Sequence, residues 1–536
     1  MTCIKWKIGY TDRNGRLEKS GEVHFDAGVF QLETDLPEAV LEKIEMTMPL
    51  NVDDDEKIFM NGYQTWTACP EYAVTDRIRG MQAMPKRAVE KFHLDRYGDY
   101  HFNDYPFKRG YLHGFSWCTF RKGRFYRFFG SLNERELGYT MFEYDHSSRL
   151  LTVRRDCSGL RVPGGRMALF ELLITSGTER EVYDRWFAEL NIKPRTEKEI
   201  AGYSSWYNTF QDINEKSIRD ALFGCRSLFE KGDLFQIDDG WEPHIGDWME
   251  PDGKKFPNGM KEMADLIHAN GFRAGLWLAP FAAEKDSALF KNHPDWFIKK
   301  DGKPWACGSN WSGFYGLDID IPEVQTYLEG VFRRVFDEWG FDLVKLDFLY
   351  AAATFGNERE TRAGRMYRAV DLLRKWCGDH LILGCGVPVM PAFGQFEYCR
   401  ISCDVSLDWN DKRYMQWAHR ERVSTKQAVG NILSRRMLNS RAYICDSDVF
   451  FLREENLKLD ALTKDTLARL DALLDGVWMI SDDPSKYTPA QRQQYRDLRR
   501  LTAAVDVEYD PDRAIVTYEL DGQRQELDVS CLTRKD

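Results

Sequence analysis

The sequence predicts a multidomain protein, α/β plus β: a central (β/α)8 TIM barrel, an N-terminal β-sandwich and a short C-terminal β-region. Three observations predict it. Residues 1–195 read as short alternating segments punctuated by turns, with few helices. Beyond Lys193-Pro194-Arg195, apolar strands alternate with amphipathic helices, and eight such units fit in about 300 residues. Finally, carboxylates gather where those strands end, the place at which such a barrel keeps its chemistry. The expected domains are 1–195 (sandwich), 196–504 (barrel) and 505–536 (C-terminal β-region), which suits a chain of 536 residues.

In the first domain, Val23 to Phe25, Val29 to Leu32, Tyr111 to Arg121, Arg124 to Ser131, Gly138 to Tyr144 and Leu150 to Asp156 read as strands. Asp12-Arg13-Asn14-Gly15 and Arg121-Lys122-Gly123 read as hairpin turns. Met60-Asn61-Gly62-Tyr63-Gln64-Thr65-Trp66-Thr67 interrupts the pattern. It is either a loop anchored by its own aromatics or one leaning over a neighbouring domain's cleft. Glu181 to Leu190 reads as a helix.

The barrel strands are expected at Gly202 to Trp206, Leu234 to Ile237, Phe272 to Leu278, Phe341 to Leu346, Leu381 to Gly384, Tyr398 to Ser402, Ala442 to Cys445 and Val477 to Ile480. No GxGxxG follows any of them, which argues against a dinucleotide-binding sheet. From Asp506 to Leu532, two strand-like runs flank Leu520-Asp521-Gly522-Gln523, a hairpin or small sheet.

Composition narrows the function. A formal net charge of −11 argues against nucleic acid as a partner, since no basic patch tracks phosphates. No apolar run reaches the ~20 residues of a membrane span. The start, Met1 to Ile8, lacks the apolar core and cleavage site of a secretion signal. The 12 cysteines are scattered, and Cys399 and Cys403 have neither a second pair nor nearby histidines for zinc. Reduced thiols in the cytoplasm are the expectation. Aromatic residues make up 14% of the chain, enough to fill the cores and also to stack on flat sugar faces.

The organising stretch is Phe341-Asp342-Leu343-Val344-Lys345-Leu346-Asp347-Phe348-Leu349-Tyr350, an apolar strand ending in an acid between two helical segments. Asp347 is the candidate nucleophile. Lys345, two residues earlier, points to the same side and should favour its ionised form. Other strand ends supply Trp206, the run Asp238-Asp239-Gly240-Trp241, Trp277, Cys385, and Arg400 with Asp404. Asp446, Asp448, Asp482 and Asp483 end the last two strands, and Asp446 and Asp448 read equally well as helix caps. Trp206 and Trp277 fit either a core or a sugar platform. A divalent metal could use some of these acids, but the set lacks histidines, and Lys345 and Arg400 already offset charge. A retaining glycosidase needs two carboxyls about 5–5.5 Å apart, one attacking and one donating a proton. Strands four and six can bring Asp347 and Asp404 together in those roles.

The same residues resemble the α-galactosidase (melibiase) family of glycoside hydrolases, family 36. The likeness lies in Phe235-Gln236-Ile237-Asp238-Asp239-Gly240-Trp241, Phe256-Pro257-Asn258-Gly259-Met260 and Gly271-Phe272-Arg273-Ala274-Gly275-Leu276-Trp277. It continues through Asn292-His293-Pro294-Asp295-Trp296, Leu317-Asp318-Ile319 and Val344-Lys345-Leu346-Asp347. It implies Asp347 as nucleophile, Asp404 as acid/base, and Asp238 and Asp239 as ligands of the galactose 4- and 6-hydroxyls. Lys345, Trp277 and Cys385 join them in the implied sugar site, with no metal or organic cofactor, and Trp241, Arg400 and Trp206, at or beside strand ends, are further candidate binding residues. The chain departs from the family at Leu278-Ala279-Pro280-Phe281, at Phe348-Leu349-Tyr350, at Val387-Pro388 and in a short C-terminal region, which bears on the sugar and the aglycone. The implied activity is retaining hydrolysis of a terminal α-galactosyl group from an oligosaccharide or glycoside. An α-N-acetylgalactosaminidase or a transglycosylase would use the same site, and a non-catalytic carbohydrate-binding protein would keep the cleft alone. Whether the chain forms a homo-oligomer stays open.

Overall fold

The computed structural model describes residues 1–81, 84–410, 416 and 419–533. Its centre is a closed parallel barrel of eight strands. They are β1 (Ile200–Ser204), β2 (Leu234–Ile237), β3 (Arg273–Leu278), β4 (Leu343–Leu346), β5 (Leu381–Gly384), β6 (Tyr398–Arg400), β7 (Ile444–Phe450) and β8 (Val477–Ile480). β8 pairs back onto β1, with Ile200 opposite Val477. Seven expected strands lie within a few residues of their places, because each is a short apolar run bounded by turn residues. β7 runs five residues further than expected, to Phe450, across an irregularity between Asp446 and Val449.

Before the barrel, two antiparallel sheets form the sandwich. One orders Gly15–Phe25, Thr2–Asp12, Ala39–Pro49, Leu150–Arg155, Thr140–Asp145 and Tyr111–Phe115; the other runs Gly28–Leu36, Gly165–Gly177, Phe125–Ser131, Trp117–Lys122, Lys57–Met60 and Tyr72–Ala73. The Asp12–Gly15 hairpin is as expected. Tyr111 to Arg121, expected as one strand, is two. Ser116 takes a left-handed φ of 66°, and the chain there passes from one sheet to the other. Thr2–Asp12, Ala39–Pro49 and Gly165–Gly177 were not foreseen. In the first two, charged side chains mask the alternation and pair across the sheet, as Lys7 does with Glu45 at 2.9 Å.

The helix Glu179–Leu190 joins sandwich to barrel, started by a capping box between Thr178 and Glu181. Its Trp186 and Phe187 meet Phe393 of the barrel at centroid distances of 5.8 and 5.2 Å. Between β3 and β4 the chain inserts a three-stranded sheet, Ala282–Glu284, Ala306–Gly308 and Phe314–Gly316. The C-terminal region has three strands where two were expected: Val505–Asp510, Ile515–Leu520 and Gln523–Asp528. Among the described residues, no helix is long and apolar enough to cross a membrane.

Candidate active site

β4 delivers Asp347 into the mouth of the barrel. Its carboxylate accepts from the Trp277 indole at 3.2 Å and from the Phe348 amide at 2.9 Å. Phe348 sits at φ 54°, a left-handed turn that swings the chain away directly after the acid. Burial pushes Asp347 above the ordinary aspartate value, and Asp404 adds to this. Lys345 and hydrogen bonds from Cys385 and Trp277 oppose it.

Lys345 is not the direct partner of Asp347. Its ammonium contacts Asp238 at 2.9 Å, a buried ion pair between β4 and the end of β2. The charge of Lys345 still reaches Asp347, but burial outweighs it. Burial also works against the ammonium itself, yet Asp238 and Asp347 together hold it protonated. Asp238 further accepts from Gln236 at 2.7 Å and Ser204 at 3.3 Å. Asp239 turns the other way, toward Gln211 (3.0 and 3.1 Å) and the Trp311 indole (3.1 Å). Glu242 shares a hydrogen bond with it. Burial and the neighbouring charge raise Glu242 well above the usual range, so the proton of this pair rests there. Gly240, at φ 116°, permits the packing: a Cβ would lie 2.7 Å from the Gln211 carbonyl.

Asp404 follows β6 and is the more open acid, 32% exposed at its side chain against 8% for the whole Asp347 residue. Arg400, fully buried, donates from Nη2 to Asp404 at 2.9 Å, and the same nitrogen stands in ion-pair contact with Asp448 at 3.1 Å. Asp446 stands 4.0 Å from the Arg400 Nε. Asp448 also accepts from the Val405 amide at 2.9 Å and from the Tyr207 hydroxyl. Neither Asp446 nor Asp448 caps a helix. Both lie within β7, and Asp448 adopts φ 92°, which turns the carboxylate to Arg400.

The Asn61–Thr67 segment reaches across from the sandwich. Trp66 donates to the Cys385 sulfur at 3.2 Å, and its ring meets Phe348 at 4.9 Å, edge to face. Thr65 donates to the Val387 carbonyl at 3.0 Å. Gly386 leaves room, since a Cβ there would stand 2.8 Å from the Trp66 ring. Of the two readings of this segment, the one that leans on a neighbouring domain's cleft describes its position.

Two predicted binding residues stand apart. Trp241 is fully buried; its indole donates to the Trp277 carbonyl at 2.9 Å and its ring packs on Trp248 and Trp339. It supports β3 from behind and has no face free for a sugar, which corrects the expectation. Trp206 is partly buried and packs edge-on against Phe210 at 5.3 Å, with no hydrogen bond to the acids. Asp482 is engaged by the Leu452 and Arg453 amides and the Tyr487 hydroxyl, and Asp483 caps a short turn, so both are structural. Tyr207, Gln211, Glu242 and Trp311, which surround these acids, were not among the candidates; Trp66 carried a signal in the aromatic–amide break of the strand pattern, and Asp448 stood among the strand-end acids but read equally well as a helix cap. Among the described residues, no cluster of three or more His, Cys, Asp or Glu is arranged to hold a metal. A separate cavity of about 1360 Å³ lies between the sandwich and the helix Thr425–Arg435. Two of its lining arginines, Arg121 and Arg436, are already paired with Glu71 and Glu179.

A family model described as Melibiase matches residues 191–370, the stretch that carries Asp238, Asp239, Trp277, Lys345 and Asp347. The α-galactosidase TtGalA from Thermus thermophilus, solved with p-nitrophenyl α-D-galactopyranoside, superposes with a TM-score of 0.75 at 25% identity, covering 95% of this chain and 99% of that one. Residues 191–370, about a third of the chain, thus match that family, and nearly the whole chain shares the fold of a solved α-galactosidase. Curated relatives match this chain over shorter stretches. Alpha-galactosidase Mel36A of Lactobacillus acidophilus is 30% identical over 151 residues, 27% of this chain and 20% of the relative. The A type blood alpha-D-galactosamine galactosaminidase of Flavonifractor plautii is 34% identical over 145 residues, 25% of this chain and 13% of the relative. The match to these two relatives thus spans at most about a fifth of their length.

Proposed function

We propose that this protein is a retaining α-galactosidase acting on a terminal α-linked galactosyl group of an oligosaccharide or glycoside. One observation carries the reading: a buried carboxylate, Asp347, held by an indole and an amide, stands close enough to Asp404 to feel its charge, while Arg400 grips Asp404. An Asp347 oxygen attacks the anomeric carbon as the bond to the leaving oxygen breaks, and Asp404 protonates that oxygen. The Asp404 carboxylate so formed is met by the Arg400 guanidinium. Asp404 then takes a proton from water, whose oxygen attacks the same carbon and releases Asp347. Galactose leaves with its α configuration retained. Asp238 and Asp239, fixed by Lys345, Gln236, Gln211 and Trp311, accept hydrogen bonds from sugar hydroxyls, and the buried Trp277 serves by holding Asp347 through its indole. Twelve cysteines with no disulfide among the described residues fit a cytoplasmic setting.

The test uses Asp347→Gly. This variant should lose at least ~10³-fold in kcat on p-nitrophenyl α-galactoside and regain turnover with azide, yielding β-galactosyl azide. Near-normal activity in the variant would remove Asp347 from the role. Hydrolysis of the N-acetylgalactosaminide in preference to the galactoside by the unmodified enzyme would move the substrate class.

A further inference from the structure

We propose that Asp448 is a positioning residue: by neutralising Arg400 it lets Asp404 keep the proton it must donate. The proposal rests on the galactosidase reading above. Its basis is geometric. One guanidinium nitrogen of the fully buried Arg400 is divided between Asp404 at 2.9 Å and Asp448 at 3.1 Å. With Asp404 alone as partner, Arg400 would favour the ionised carboxylate, the wrong state for an acid. A second carboxylate on the same nitrogen cancels that pull.

The backbone is bent to achieve this. β7 breaks its register between Asp446 and Val449, and Asp448 is held at φ 92°, outside the comfortable range of a non-glycine residue. Two hydrogen-bond donors, the Tyr207 hydroxyl and the Val405 amide, and the Arg400 guanidinium as ion-pair partner then converge on one oxygen, Oδ2. Val405 immediately follows Asp404, so the same carboxylate also fixes the backbone that presents the acid. The other charged groups that act on Asp448 are Asp404, Lys345 and Asp446, with Asp471 from the next helix. Burial pushes Asp448 up to about 7, against the pull of Arg400. Raising the pH ionises Asp448 and compensates Arg400. Burial and the charges of Asp404 and Asp448 keep the Tyr207 hydroxyl protonated, so it remains a donor.

Asp448→Asn is the informative variant, because an amide oxygen placed at Oδ2 keeps all three contacts and loses only the charge. The alkaline limb of its kcat/KM profile should move to lower pH by about one unit or more. Its kcat/KM should fall at least ~10-fold further on methyl α-galactoside, whose leaving group needs a proton, than on α-galactosyl fluoride. Tyr207→Phe, which removes one donor, should shift the limb the same way by less, and serves if the first variant fails to fold. Equal losses on both substrates with an unmoved pH profile would reduce Asp448 to a structural residue. Unmodified enzyme inactive on both substrates would instead overturn the galactosidase reading itself.

Discussion

Burial and charge partners set the chemistry of each side chain in this site. Asp347 and Cys385 illustrate the two outcomes. Asp347 is raised by burial, and two hydrogen-bond donors and a nearby lysine charge work against that rise. Cys385 is equally buried, and burial pushes its thiol well above the usual range, with Asp347 adding to the effect. It stays a neutral thiol that accepts from Trp66. Iodoacetamide at pH 8 should therefore leave Cys385 unmodified in the native protein, while Cys3 and Cys531, the two half-buried thiols, react first; peptide mass spectrometry reads the outcome. Fast labelling of Cys385 with parallel loss of activity would mean that the segment above it opens. Adjacency in sequence misled at this scale. Lys345 and Asp347 share a strand side, but the ammonium reaches across to Asp238, a choice made by the spacing of β2 and β4.

Between elements, one arginine ties the sandwich to the barrel. Arg435, at the end of the helix Thr425–Arg435, is fully buried and donates to the Asn61 side chain at 2.9 Å. It also reaches the carbonyls of Thr65 (2.6 Å), Gln64 (3.1 Å) and Ile401 (2.8 Å). Asn431, one turn earlier, donates to the carbonyls of Thr67 at 3.0 Å and Ile401 at 3.2 Å. These bonds pin the segment that carries Trp66 against the strand that carries Arg400. Arg435→Met leaves several buried carbonyls without donors and should cost at least about 3 kcal/mol in denaturant unfolding. It should also lower kcat/KM, because Trp66 loses its seat beside Cys385 and Phe348. Unchanged stability would show that water replaces the guanidinium without penalty. The sequence marked the Met60–Thr67 segment as unusual through its two aromatics among polar residues, but nothing in it named Arg435, which is 374 positions from Asn61.

In the whole molecule, the site belongs to two architectural layers. The barrel supplies both acids, and the sandwich supplies Trp66. Trp117 and Trp186, both fully buried, pack on Phe393 at 6.3 and 5.8 Å, so the interface is continuous apolar core. A protein beginning at residue 196 would expose that surface, and burial of each such ring is worth about 1.5–3 kcal/mol. It should aggregate or unfold, without measurable galactosidase activity; a soluble, active 196–536 fragment would show that the barrel needs no partner. The sequence by itself determined the barrel, its eight strands to within a few residues at seven of them, and the acids at the strand ends, because hydrophobic period and turn chemistry are local properties. Asp347, Asp238 and Asp239 could be named for the same reason, since they directly follow strand ends, and Asp404 stands four residues past β6. Tertiary structure alone decided that Lys345 holds Asp238, that Trp241 lies behind β3, that Asp448 shares Arg400, and that a tryptophan from the sandwich faces the barrel. Those are meetings between residues tens to hundreds of positions apart, set by strand order, a register break in β7 and the docking of one layer on another.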